Sequence, residues 1–168
     1  MKDKLVFAQP WLGLLARLIL GGVLFTAGAL KLDKTDISQM AVRSYEMLPV
    51  SIANALGLFL PFFEIAVGAL LILGALTRVM AILGGVTMFA FVIAIAQAWA
   101  RGLSIDCGCF GGGGSVAPEE TRYLQEILRD IGLAFLAIYL IRYPMTKFAI
   151  DRNPLPSGAE TGSRGDVE

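Results

Sequence analysis

The chain has 168 residues, of which 56% are hydrophobic and 17% charged, and its formal net charge at pH 7 is zero. A water-soluble domain of this length needs far less apolar surface, so the composition predicts a membrane protein. The sequence has no basic cluster, which argues against nucleic acid as a partner. It also has no histidine. Most hydrolase and transferase mechanisms are therefore disfavoured, because the usual general base and the commonest metal ligand are missing.

Four apolar segments are each long enough to cross a bilayer as a helix, since about 20 helical residues span its hydrocarbon core. They cover residues 11–32, 51–76, 78–100 and 122–143. The sequence therefore predicts an all-α integral membrane protein built as a four-helix transmembrane bundle. Gly74 is expected to end the second span and Thr77 to cap the third, so these two helices form a tight hairpin.

The remaining segments are polar or mixed. Residues 33–49 mix apolar and polar side chains at helical spacing, which predicts an interfacial amphipathic segment between spans one and two. One transmembrane domain is expected over residues 1–150. Residues 151–168 form a polar tail that cannot bury enough surface to order itself, so this tail is expected to be disordered.

The predicted topology places both termini on one side of the membrane. Segment 33–49 and the last connection, residues 102–121, then share the other side. A slight excess of Lys and Arg on the terminus side predicts cytoplasmic termini and an exterior connection in a bacterial plasma (inner) membrane. A disulfide in that connection would persist in the oxidising exterior.

The two cysteines of the chain, Cys107 and Cys109, lie in this connection with Gly108 between them. Two cysteines exclude a multi-disulfide scaffold and a four-thiolate zinc site within one chain. Gly108 allows the sharp turn that a disulfide between such close residues needs. Such a bridge is strained, and strained exposed disulfides exchange readily. The spacing therefore predicts a thiol-disulfide redox pair.

Several neighbours are expected to support this pair. Asp106 would raise the pKa of an adjacent thiol, whereas Arg101 or Arg122 would lower it. Phe110 would shield the disulfide or contact a partner. Two other interpretations stay open: the cysteines are a structural clip, or their two thiolates hold one Cu(I) ion.

Two charged residues lie well away from the cysteine-side surface in predicted spans one and two, where each charge costs about 3 kcal/mol on insertion scales. They are Arg17 in the first span and Glu64 in the second. We expect them to pair with each other. The pair either orients the two helices or takes part in proton or quinone handling.

Smaller patterns recur within the spans. Gly22 with Thr26, and Ala81 with Gly85, have the small-residue spacing that permits close helix contacts. At the start of the fourth span, three charged side chains share one helix face at three- and four-residue spacing: Glu126, Arg129 and Asp130. This face either positions the dithiol loop or is a solvated helix start.

The motifs together resemble a known family. Asp106-Cys-Gly-Cys-Phe-Gly after Arg101-Gly, preceded by Leu60-Pro-Phe-Phe-Glu64 and by Ala16-Arg-Leu with Gly28-Ala-Leu-Lys31, is similar to the MauE branch of the DoxX-like membrane proteins. The resemblance covers nearly all of residues 10–143. It implies a four-helix membrane protein of methylamine utilisation, linked to export or disulfide formation of the methylamine dehydrogenase small subunit. The wider DoxX-like resemblance implies redox chemistry, including thiosulfate:quinone oxidoreduction.

The cysteine count limits the mechanism. Carrying electrons through the membrane by thiol exchange would need a second cysteine pair, and the sequence has none. The pair must therefore exchange with a redox partner protein on its own side, or reduce a carrier in the membrane lipid such as a quinone. Two rival functions are a non-catalytic subunit that matures a redox enzyme complex and a small transporter that uses Arg17 and Glu64. Oligomerisation is compatible with all of these functions.

Overall fold

The structure, a computed structural model, describes residues 2–144, 146 and 148–150. The predicted disordered tail, residues 151–168, lies outside this part of the chain. The elements follow in chain order, with one 3-10 turn at Pro118–Glu120: α1 Lys2–Leu32, α2 Thr35–Ser44, α3 Val50–Leu73, α4 Thr77–Ala100, β1 Ile105–Asp106, β2 Gly114–Ser115 and α5 Tyr123–Arg142.

Three of the described helices are long and apolar enough to cross a membrane: Gln9–Leu32 within α1, Val50–Leu73 and Thr77–Ala100. The predicted mostly helical fold with several apolar spans is therefore confirmed. Helix α5 also has 20 residues, but it carries three charges in its first two turns. A fourth span at α5 therefore stays a prediction, as does the position of α2 on the membrane face.

The long helices enclose an apolar core to which α1, α3, α4 and α5 all contribute. Leu20, Leu71 and Leu140 are completely buried within it. Large apolar side chains also cover the outside of the bundle, among them Phe59, Phe89 and Phe135. This outer surface is what lipid contact requires, because lipid tails are as apolar as the side chains they meet.

Glycines bring α1 and α3 into close contact. A Cβ atom at Gly68 would lie 2.6 Å from the backbone nitrogen of Phe25, and one at Gly28 would lie 2.6 Å from the carbonyl oxygen of Pro61. The sequence pattern selected Gly22 instead, and that expectation is wrong, because a Cβ there meets nothing within 4 Å. The pattern at Gly85 is closer to the structure, since a Cβ atom there would lie 3.1 Å from the Ala137 Cβ, between α4 and α5.

The tight hairpin between α3 and α4 is confirmed, with one correction. Gly74 adopts a left-handed conformation with φ of 71° and ends α3. The N-cap position of α4 belongs to Leu76, also left-handed, and Thr77 is the first helical residue. Because Leu76 occupies the N-cap position, Thr77 lies one position too late to cap.

We predict that Gly68→Ala destabilises the bundle, whereas Gly22→Ala does not. The added methyl group at position 68 collides with backbone atoms of α1, and overpacking of this kind costs about 1–3 kcal/mol. Thermal unfolding in detergent should show a Tm lowered by about 2–10 °C for Gly68→Ala. Equal Tm values for the two variants would contradict the close α1–α3 contact.

Candidate functional site: a dithiol loop above buried ion pairs

The cysteines lie in a loop that a short sheet closes. Strand β1 pairs antiparallel with β2, with Ile105 opposite Ser115 and Asp106 opposite Gly114. The Tyr123 hydroxyl, at the start of α5, donates to the Leu103 carbonyl and accepts a 2.9 Å hydrogen bond from the Ile105 N–H. The glycine-rich connection is therefore fixed at both of its ends.

Helix α2 supports the loop from below. A Cβ atom at Gly108 would lie 2.5 Å from the Ala41 Cβ, and Gly108 has φ of 71°, so both space and backbone conformation require glycine there. One turn further along, the Tyr45 hydroxyl donates a 3.0 Å hydrogen bond to the Cys107 carbonyl. The predicted adjacency of segment 33–49 and the cysteine loop is confirmed by these contacts.

Asp106 shapes the turn around the cysteines. Its Oδ1 accepts a 2.8 Å hydrogen bond from the Gly108 N–H. Asp side chains in turns often bind the backbone two residues further along the chain in this way. Arg101, in contrast, lies away from the thiols. It donates to the Tyr45 carbonyl at 3.1 Å and to Glu46 at 2.8 Å. Arg101 is therefore not the cation that lowers a thiol pKa, contrary to the expectation. It binds the Tyr45 carbonyl, and the Tyr45 hydroxyl binds the loop at Cys107.

The two thiols are free and differ in access. Cys109 is only 5% exposed, whereas Cys107 is half-buried and lines an open cleft of about 710 Å³. The Cys109 N–H donates to the Cys107 sulfur at 3.3 Å. A molecule that enters the cleft therefore reaches Cys107 first, with Cys109 behind it.

Opposite charges from the start of α5 flank the two thiols. The Glu126 carboxylate lines the same cleft as the Cys107 thiol and interacts with it electrostatically, and the Arg129 guanidinium lies beside the Cys109 thiol. Arg129 also stacks over the Phe110 ring at 4.9 Å and donates to Asp130 Oδ1 at 2.8 Å. The charged face of α5 thus lies against the dithiol loop. This favours the interpretation that the face positions the loop over a solvated helix start.

The buried acid of α3 has a different partner from the one expected. The Lys31 Nζ donates to both Glu64 oxygens, at 2.7 and 2.8 Å, and the two side chains are 3% and 0% exposed. Arg17 donates instead to the Thr146 hydroxyl at 2.8 Å and to the Phe148 carbonyl at 3.4 Å. The predicted Arg17–Glu64 pair is wrong because Arg17 lies about 21 Å from Lys31 along the axis of α1. Lys31 entered the sequence prediction only as the end of the Gly28-Ala-Leu-Lys31 motif, not as a partner of Glu64.

The surroundings raise the pKa of Cys107 and of Tyr45. Hydrogen bonding to Cys109 and then burial raise the pKa of Cys107, although the Cys109 N–H acts in the opposite direction. Burial, followed by the two neighbouring thiols, raises the pKa of Tyr45. Cys107 is therefore a neutral thiol at pH 7, and the Tyr45 hydroxyl stays a donor.

Comparison with known families gives one match. A family model described as methylamine utilisation protein MauE matches residues 9–143. The matched range includes the dithiol loop and every residue of the two ion pairs beneath it. Neither the curated proteins nor the solved structures give a match.

The raised pKa of Cys107 predicts slow alkylation at neutral pH. Iodoacetamide reacts with thiolates, so the rate should keep rising above pH 8.5, the usual pKa of a free thiol. In Cys109→Ala the main cause of the raised pKa is removed, and the half-maximal rate should move to lower pH. An unchanged profile in Cys109→Ala would contradict the hydrogen-bonded thiol pair.

Proposed function

The chain belongs to the MauE family of methylamine utilisation proteins, and on that premise we propose that it is a membrane thiol-disulfide redox protein acting on a partner protein. Family membership and the three apolar helices make it a multi-pass membrane protein involved in methylamine utilisation. The observation that carries the proposed chemistry is the unequal access to the two thiols, because a dithiol enzyme needs one sulfur that meets the partner and one that closes the disulfide.

The proposed reaction begins with the oxidised Cys107–Cys109 disulfide. A partner thiolate attacks the Cys107 sulfur from the cleft, a Cys107–partner disulfide forms, and Cys109 leaves as a thiolate. A second partner thiolate then attacks the partner's first sulfur, so the partner disulfide forms and Cys107 leaves. Two electrons pass from the partner to the cysteine pair, and each released sulfur takes up one proton.

The charges beside the thiols suit these steps. Cys109 is the first leaving sulfur, and the guanidinium of Arg129 lies where its negative charge develops. Glu126 faces Cys107, where it can return a proton to the second leaving sulfur. Asp106 and Gly108 keep the tight turn on which the disulfide depends. Phe110, stacked beneath Arg129, holds that guanidinium in place.

The oxidant that regenerates the disulfide is a second, more oxidising disulfide on the same side, by the reverse of these exchange steps. A membrane quinone stays a prediction, and no step is assigned to it. The cleft at Cys107 is lined largely by charged and polar side chains, and the cavity that touches Cys109 measures about 10 Å³. Neither offers the apolar, ring-sized site that a quinone needs.

The proposed location follows from the same chemistry. Thiol exchange that leaves disulfides in a partner requires an oxidising compartment. We therefore place the dithiol loop on the exterior of a plasma membrane and the termini in the cytoplasm, in agreement with the slight charge bias of the sequence.

We predict that single-cysteine variants trap the partner unequally. In membranes of a methylamine-utilising host, the Cys107 thiol of Cys109→Ser can attack the disulfide of the oxidised partner or of the regenerating oxidant, which forms a mixed disulfide and releases one thiolate. The variant lacks the Cys109 thiol that would release this adduct by attack on the Cys107 sulfur, so a reductant-sensitive adduct should accumulate on non-reducing gels. Cys107→Ser is the matched control. It keeps only the buried thiol and should give at least about tenfold less adduct.

Two results would contradict the proposed function. One is the absence of adduct in Cys109→Ser. The other is normal growth on methylamine, with normal partner disulfides, in a Cys107→Ser/Cys109→Ser double variant. That second result would support the rival function, a non-catalytic assembly subunit.

A further inference from the structure

A small cavity lies beneath the buried thiol. It measures about 10 Å³, which is room for about one water molecule. Its polar lining consists of Cys109, Glu64, Arg129 and Asp130. The apolar remainder includes Met88 and Phe91 of α4, and Phe110 and Arg129 line both this space and the open cleft. Cys109 lines the small cavity, whereas Cys107 lines the cleft. The two thiols therefore face two different environments.

Asp130 has an unused oxygen at this cavity. The residue is 1% exposed. Its Oδ1 accepts the hydrogen bond from Arg129 Nε, whereas its Oδ2 has no hydrogen-bond partner among the described residues. A buried carboxylate oxygen without a partner is costly, and such a group calls for a specific explanation.

The exchange chemistry supplies that explanation. Whenever the pair is oxidised, each thiol must lose its proton as its sulfur becomes a nucleophile. Cys107 has Glu126 beside it, but Glu126 does not line the small cavity. The cation at Cys109 is Arg129, and a guanidinium cannot accept a proton. Cys109 therefore needs a proton acceptor other than Glu126 and Arg129.

Elimination leaves one group. Glu64 accepts a hydrogen bond from the Lys31 ammonium at each oxygen, whereas Asp130 Oδ2 accepts none from the described residues. From these contacts we infer that Asp130 is the proton acceptor of Cys109, reached through a single water in the cavity, and a catalytic residue distinct from Glu126. This inference rests on the proposed exchange function and assigns a separate base to each thiol.

The step balances in atoms and charge. With a disulfide oxidant bound to Cys107 as a mixed disulfide, the Cys109 proton passes through the water to Asp130 Oδ2. The Cys109 sulfur attacks the Cys107 sulfur, the Cys107–Cys109 bond forms, and the oxidant's sulfur leaves as a thiolate. In the reverse direction Asp130 returns the proton to the leaving Cys109.

The surrounding charges fit this transfer. Asp130 is faced by Arg129 and Glu126 on its own helix, by Lys31 from α1, by Glu64 from α3 and by Cys109 from the loop. The residues that α4 contributes to the cavity are apolar. Moving the proton shifts negative charge from Asp130 to the Cys109 sulfur while Arg129 touches both, so the net charge of the buried cluster does not change.

The test uses Ellman's reagent on the full-length reduced protein in detergent. Cys107 attacks first and releases one thionitrobenzoate, and Cys109 then closes the disulfide and releases a second. In Asp130→Asn the second phase should slow by at least about tenfold, because general-base catalysis typically contributes about 10²–10⁴. Raising the pH should restore the rate, and Asp130→Glu should retain most of it. The first phase should stay within about twofold.

The outcomes separate this inference from the proposed function. Glu126→Gln should alter the first phase only, and Asp36→Asn, an exposed carboxylate on α2, should alter neither. An unchanged second phase in Asp130→Asn overturns the inference, and so does equal slowing of both phases, which indicates a disturbed loop. Failure of the wild-type protein to release a second thionitrobenzoate would instead overturn the proposed function.

Discussion

The cost of burying charge governs this architecture. A charge left unpaired in a bundle core destabilises it strongly, and removing one member of a buried pair costs about 3–5 kcal/mol. Lys31–Glu64 is a buried pair between α1 and α3, and the buried Asp130 pairs with the partly exposed Arg129 on α5. Both pairs lie at the end of the bundle that carries the cysteines. The helices that form the apolar core are therefore also oriented by the polar groups beneath the thiols.

The cysteine loop depends on this end of the bundle for its geometry. Ala41 of α2 packs against Gly108, and Tyr45, directly after α2, donates a hydrogen bond to the Cys107 carbonyl. Tyr123, the first residue of α5, accepts a hydrogen bond from the loop backbone at Ile105. Because Glu126 and Arg129 follow on the same helix, fixing the loop also fixes the charges beside each sulfur. The two thiols therefore have different surroundings, although they are chemically identical.

The sequence predicted the features that depend on local pattern. The apolar spans, the hairpin turn at Gly74 and the segment beside the cysteine loop all follow from hydropathy, glycine placement and residue spacing. The sequence did not predict which charged residues meet each other or the thiols, because this depends on how deep each residue lies in the bundle and how its helix is rotated. Lys31 rather than Arg17 meets Glu64, and Arg129 rather than Arg101 meets a thiol. The cavity between Cys109 and Asp130 has no signal in the sequence, because α1, α3, α4, α5 and the loop together form it.

The most direct test of the central claim is a redox titration of Cys107 and Cys109 in native membranes, with thiols trapped by a membrane-impermeant maleimide. The account predicts one reversible two-electron transition between a labelled dithiol and an unlabelled disulfide, with labelling from the exterior. Thiols that stay reduced at every potential, or a bridge that physiological reductants do not open, would contradict a redox role for this pair.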